Sequence, residues 1–338
     1  MYVIMIYIRR SKRKEKIIMA EKQKRISFSR IGYYLIVMMI VSTVAQMMIA
    51  TMVGSISKKL VENNFVAFAI TFGSMYLIGV PVADNVLKKK IVLTKEKRPM
   101  SLKQWIKYIP VTVLFVYIGS FAGEAITSFI SMLVGKTPED PVVAILSGSD
   151  IFVSLIFVGI IGPIVEEYIF RKQIINHTRM YGEKRAVIFS AFVFALFHGN
   201  LSQMFYAFTL GLVFGYVYIK TDDIKYSAGL HMFVNIISGV LIGSVMDGVD
   251  LNVLDKGAAS IMNSPDLAKY VVFIIYLVIM IGLAITGVII VYRNSKDITF
   301  NEPNIKLEKP FRTMYLNTGV IIFIWCMIVS TVGTFLEI

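Results

Sequence analysis

Two adjacent carboxylates, Glu166 and Glu167, stand in the last turn of an apolar stretch from Ile151 to Phe170, and Arg171 follows directly. Ionisable groups at membrane depth are costly and mark functional sites. Two further polar pairs lie downstream on apolar segments, Phe194 with His198 and His231 with Asn235, each at the i, i+4 spacing that places both members on one helix face. The third histidine, His177, falls in a basic loop and reads as solvated.

Neighbouring residues on an α-helix point about 100° apart, so Glu166 and Glu167 cannot serve one small site together. Arg171 is four residues after Glu167 and five after Glu166, which makes Glu167 its same-face ion-pair partner. Glu166 is left as the reactive carboxylate, in an apolar setting suited to a general base. Pro163 cannot donate a backbone hydrogen bond and should loosen the helix beside it, which is tolerable where the helix lines a wet cavity. A water held between Glu166 and His198 would be the nucleophile, and His231 with Asn235 would supply donors to an oxyanion. The chemistry is that of a hydrolase. His198 lies at the far end of its segment, so it matches Glu166 in depth only if the fourth helix continues toward Asn176, with Arg171 inside the membrane and the cavity open to the cytosol. The alternative is that these groups are interhelical glue in a transporter or scaffold.

The elements that must position these residues follow from composition. With 56% hydrophobic and 17% charged residues and a mean hydropathy of +0.70, the 338-residue chain is too apolar for a soluble domain and suits an all-α, polytopic bundle of membrane helices. Apolar stretches run over 32–54, 65–83, 109–134, 151–170, 186–198, 204–219, 226–245, 270–292 and 314–336. These predict about nine spanning or part-spanning helices, the short fifth and sixth packed inside the bundle. Lysine and arginine collect in alternate loops starting with the N-terminal tail, which places the N-terminus in the cytoplasm and the C-terminus outside. The basic run 9–30 is read as a topology signal that also attracts anionic lipid, not nucleic acid. Residues 1–8 are apolar and precede that run, the wrong order for a cleaved signal peptide, and Met1 or Met19 could start the chain. Cys326 is the only cysteine, so no intrachain disulfide forms.

Gly119 with Gly123, and Gly211 with Gly215, have the small-residue spacing of close helix packing, the second pair bringing the histidine-bearing neighbours together. Glu124 reads as a structural hydrogen-bonding group or one lining a polar cavity. Residues 100–108 place Leu102, Trp105 and Ile106 opposite Lys103 and Lys107, the pattern of an interfacial helix, and 135–150 reads as an ordinary outside turn.

In order, E-E-x-x-x-R (Glu166, Glu167, Arg171), F-x-x-x-H (Phe194, His198) and H-x-x-x-N (His231, Asn235) resemble the CPBP intramembrane proteases, the type II CAAX prenyl endopeptidase and bacteriocin-processing group. The resemblance covers about 105–245 and includes the Gly211–Gly215 run. Asp222 and Asp223 stand where relatives often have a Gly-containing turn, a change expected to affect only the connection. The chain would divide into a basic cytoplasmic tail (1–31), N-terminal membrane helices (32–100), a protease core (101–245) and two C-terminal membrane helices (246–338). The resemblance implies that Glu166 and His198 activate water, that His231 and Asn235 stabilise the tetrahedral intermediate, and that Glu167 and Arg171 support them. A metal-free glutamate mechanism is taken first, with a zinc site on Glu166, His198 and His231 kept open. The implied substrate is a hydrophobic or membrane-tethered peptide, prenylated or not. A non-catalytic scaffold or bacteriocin self-immunity protein remains the rival.

Overall fold

In bilayer hydrocarbon every backbone N–H and C=O must be satisfied within its own segment, so each apolar stretch becomes a helix. The computed structural model describes residues 2–87, 93, 95–138, 150–247, 249–250 and 252–336, and the described residues hold no strand. The principal helices are α1 (Tyr2–Ile56), α2 (Asn64–Leu87), α3 (Leu102–Val134), α4 (Ile151–Tyr181), α5 (Glu183–Phe197), α6 (Leu201–Thr221), α7 (Ile224–Met246), α8 (Leu267–Asp297) and α9 (Thr318–Phe335). Eight are long and apolar enough to cross a membrane, and α5, at 15 residues, spans part of it. The chain is a multi-pass membrane bundle. Residues 139–149 of the expected outside turn lie outside the described residues.

Three apolar clusters hold the described bundle, the smallest joining Ile175 of α4, Val187 of α5 and Tyr218 of α6. Phe28, Tyr34 and Leu35 of α1 pack with Phe170 of α4, Phe189 and Phe194 of α5, and Phe323 of α9. Phe214 of α6 and Leu230 of α7 pack with Tyr108 and Phe115 of α3. The short α5 is seated by close approach: a Cβ on Gly211 would meet Ala191 Cα at 2.8 Å, and one on Gly119 would meet Tyr206 Cα at 2.4 Å, so α6 contacts both α5 and α3 backbone to backbone. The basic run is no separate tail in its backbone, which is continuous with the first span. Within it, Lys24 donates to the Lys306 carbonyl and Arg25 to the Leu316 carbonyl, bracing the α8–α9 connection.

Helix α4 does not end at Arg171 but continues to Tyr181, as the depth argument required. His177 is therefore helical and half-buried, its Nδ1 2.7 Å from the Gln173 carbonyl, and not in a solvated loop: the helix outlasts its apolar run because its backbone still needs partners. Beyond Pro163 lies a second consequence. The backbone widens to π-helical over Leu155–Ile161 before the proline and over Tyr168–Ile175 after it.

A polar network closes one end of α4, α5 and α6. Asp222 has φ +52°, the left-handed conformation that aspartate tolerates, and caps α6. Its carboxylate pairs with the buried Arg179 and accepts from the Lys95 N–H at 2.6 Å. The aspartate pair thus does more than alter a connection: it ties α6 to α4. Arg179 also reaches Glu183 at 3.5 Å, and Glu183 takes Lys95 Nζ at 2.5 Å and the Asn301 N–H at 2.8 Å. Burial opposes ionisation of Glu183, but the bonds from Lys95 and Asn301 outweigh it and hold the carboxyl down to about 2. A carboxyl depressed in the fold stabilises above its unfolded value of 4.5 and loses that contribution as pH falls toward 2. Glu183→Gln should therefore lower stability by roughly 2 kcal/mol at neutral pH, the gap to wild type closing between about pH 4.5 and 2, as followed by thermal unfolding in detergent.

Candidate active site

Helices α4, α5 and α7 bring the sequence motifs together. Glu166 lies 15 residues before Tyr181 (181 − 166), and His198 lies 15 residues after Glu183 (198 − 183), so the extended α4 sets both at similar depth from one end of the bundle. His231 reaches across from α7. Its Nε2 is 3.6 Å from Glu166 Oε2 and its Nδ1 is 3.3 Å from Glu167 Oε1, so one imidazole spans both carboxylates.

The two glutamates are unequal. Glu167 is fully buried, and its Oε2 accepts from Arg171 Nε at 3.0 Å, the pairing that spacing predicts. The buried Arg171 donates onward to Ser190 Oγ at 3.0 Å, and Ser190 donates to the Phe170 carbonyl at 2.7 Å. Glu166 keeps 19% of its side-chain surface exposed, whereas Glu167 keeps none.

Phe194 is the hub. Its ring meets His198 edge-on at 5.0 Å between centroids and His231 at 5.8 Å, while the Arg171 guanidinium lies 4.9 Å over it. Phe214 stacks on the other side of His231 at 5.0 Å and takes the guanidinium at 5.8 Å. Both imidazoles are thus positioned by aromatic surfaces that also clamp the supporting arginine.

His198 sits where α5 ends. Gly199 turns the chain at φ +64°, where a Cβ would meet Ser330 Oγ of α9 at 2.7 Å. The Asn200 amide donates to the His198 carbonyl at 2.9 Å, and its oxygen caps α6 through the Gln203 N–H at 2.9 Å. Asn200 thereby fixes both sides of the turn.

Asn235 serves the backbone. In the widened turn the Gly162 N–H reaches the Phe157 carbonyl, five residues back; in that register the next donor would be residue 163, which is proline and has none. The Val158 carbonyl so orphaned accepts from Asn235 Nδ2 at 3.0 Å. Asn235 starts its own π-helical turn, Asn235–Leu241, and joins α7 to α4 where both are distorted. Such distortions gather at functional sites.

Tyr76 joins the site from α2. Its hydroxyl would stand 3.6 Å from a Cβ added to Gly162. Sequence reasoning missed Tyr76, Ser190, Asn200 and Phe214, although the offset of Asn200 before α6 is an N-cap signal that was available. Glu124 stays apart, exposed on α3 and accepting from Ser128 at 3.2 Å.

Among the described residues no three His, Cys, Asp or Glu side chains converge as an ion-holding group.

Removing the Asn235 amide should leave the Val158 carbonyl unsatisfied, at a cost of about 1–2 kcal/mol for Asn235→Ala. Pro163→Ala restores a backbone donor, so in that background the same substitution should cost about 1 kcal/mol less. A double-mutant cycle by thermal unfolding measures the difference, and strict additivity would contradict the link.

A type II CAAX prenyl endopeptidase Rce1-like family description matches residues 148–237, which hold every motif residue from Glu166 to Asn235. The chain is similar to the membrane-embedded CAAX protease MroQ of Staphylococcus aureus (strain USA300), 33% identical over 88 residues, which are 24% of this chain and 36% of that protein. The chain therefore matches about a third of the length of that curated relative. No solved structure is significantly similar to it. The segment 148–237, which carries the glutamate pair and both histidine motifs, is similar to the type II CAAX prenyl endopeptidase Rce1-like proteins.

Proposed function

We propose that the chain is an intramembrane endopeptidase that hydrolyses a peptide bond of a hydrophobic or membrane-tethered peptide or protein through a water activated by Glu166. The observation that carries this reading is the inequality of the adjacent glutamates: Glu167 is sealed against Arg171, whereas Glu166 is accessible and has His231 beside it. A binding scaffold has no need of one sealed and one open carboxylate on consecutive residues.

In the proposed reaction Glu166 takes a proton from a water held between it and His198, and the hydroxide attacks the scissile carbonyl. His231 donates to the oxyanion, with the second amide hydrogen of Asn235 beside it. Collapse of the tetrahedral intermediate breaks the C–N bond, and the proton held by Glu166 passes to the leaving amine. Glu167 and Arg171 keep His231 oriented between the carboxylates. The mechanism proposed is metal-free. The basic alternate loops support a cytoplasmic N-terminus, an outside C-terminus and a site entered from the cytosolic side.

Membrane and secreted peptides from cells expressing wild type, a deletion and Glu166→Gln at equal protein level test the proposal. An uncut precursor shared by the deletion and Glu166→Gln, with turnover down at least about 100-fold, is the expected result. A Glu166→Gln strain with the wild-type peptide pattern would leave the scaffold or self-immunity role in its place.

A further inference from the structure

A second concave site lies away from the glutamates. A cavity of about 660 Å³ opens where α3 and α5 begin and α6 and α8 end, so four helix termini place it at one face of the bundle. Its wall is apolar, with Val111 and Phe115 from α3, Leu212 from α6 and Ile290 from α8. Arg98, Lys107, Lys184 and Lys220 stand around it, and Asp297 is the only acidic residue in the lining. Among the described residues, Arg98, Lys107 and Lys184 are exposed and enter no ion pair, and Lys220 donates to the Thr299 hydroxyl at 2.9 Å. Four cations against one carboxylate leave the rim with uncompensated positive charge.

No motif residue of the candidate active site lines this cavity. The seam between α5 and α6 is closed by the Gly211–Ala191 contact, so the cavity and Glu166 lie on different sides of packed helices. The edge itself is fixed: the Arg98 N–H donates to the Thr221 carbonyl at 2.8 Å, and Trp105 Nε1 to the Tyr226 carbonyl at 2.9 Å. Leu102 and Ile106, in the capped first turns of α3, are exposed beside it, as expected of a segment lying in the bilayer interface.

A preformed apolar slot with a cationic rim at the interface matches an amphiphile with an anionic head and an apolar chain. A small soluble anion would leave the wall unused, and an uncharged apolar segment would leave the cations unpaired. We propose that this groove binds one anionic glycerophospholipid of the surrounding leaflet, the phosphodiester among Lys107, Lys184 and Lys220 and an acyl chain along the wall. It is distinct from attraction of lipid to the basic run 9–30.

The test uses purified full-length protein in detergent, titrated with dioleoylphosphatidylglycerol or dioleoylphosphatidylcholine and read by native mass spectrometry. Wild type should retain one phosphatidylglycerol at least about 5-fold more tightly than phosphatidylcholine, with the preference shrinking in high salt. The triple variant Lys107→Gln/Lys184→Gln/Lys220→Gln should lose the preference, and Leu212→Trp, which fills the slot and leaves the charges, should lose the bound lipid. Neutralising Arg9, Arg10, Lys12, Arg13, Lys14 and Lys16 should leave both intact. Thermal unfolding without lipid confirms that each variant is folded. Equal retention of the two lipids, displacement of phosphatidylglycerol by millimolar inorganic phosphate alone, or displacement by an apolar peptide with a free C-terminal carboxylate at equal concentration would each overturn the proposal, the last by making the groove a peptide site.

Discussion

The site depends on the fully buried ion pair between Glu167 and Arg171. Two charges taken out of water cost least when their remaining hydrogen-bonding capacity is met and their geometry is good. Here Ser190 takes Arg171 Nη1 and the rings of Phe194 and Phe214 lie against the guanidinium, while among the described residues Arg171 Nη2 makes no hydrogen bond and Glu167 Oε1 has the His231 imidazole at 3.3 Å. Those same rings flank His231, and Phe194 also contacts His198. The ion pair, the aromatic clamp and both histidines therefore form one packed unit, and Glu166, one residue away on the helix, is turned outward by about 100° simply because Glu167 is turned inward.

A second constraint is the proline. Pro163 removes a backbone donor within a helix that must satisfy its own carbonyls in a bilayer, and the chain responds by widening to π-helical geometry and borrowing an amide from α7. The contact holds α7 against α4 close to where His231 meets the glutamates. Distortion and site are thus linked by hydrogen-bond accounting alone.

Much of this was legible in the sequence because it rests on periodicity. The i, i+4 spacing of Glu167 with Arg171 predicted the ion pair, and the crowding glycines of α6 predicted its close seat against α5. Hydropathy located nine helices, including α5, which falls short of a full span. What periodicity does not carry was missed. The spacing of Phe194 with His198 was legible, but the contacts of Phe194 with His231 and the Arg171 guanidinium come from other helices and leave no spacing signature. Tyr76 arrives from a distant helix. The continuation of α4 past Arg171 hid His177 in what hydropathy marks as a loop, and the left-handed Asp222 joined to Arg179 is a tertiary contact that no local pattern announces.

In the proposed function two consecutive glutamates divide structure from chemistry, Glu167 holding Arg171 in the core and Glu166 activating the water. Thermal unfolding of purified Glu166→Gln and Glu167→Gln, compared with wild type under one set of conditions, tests it most directly. Glu167→Gln, which strands the Arg171 charge in the core, should lower the midpoint by roughly 5 °C or more, while Glu166→Gln should leave it within about 2 °C of wild type. Equal midpoints for the two variants, or a larger loss in Glu166→Gln, would contradict it.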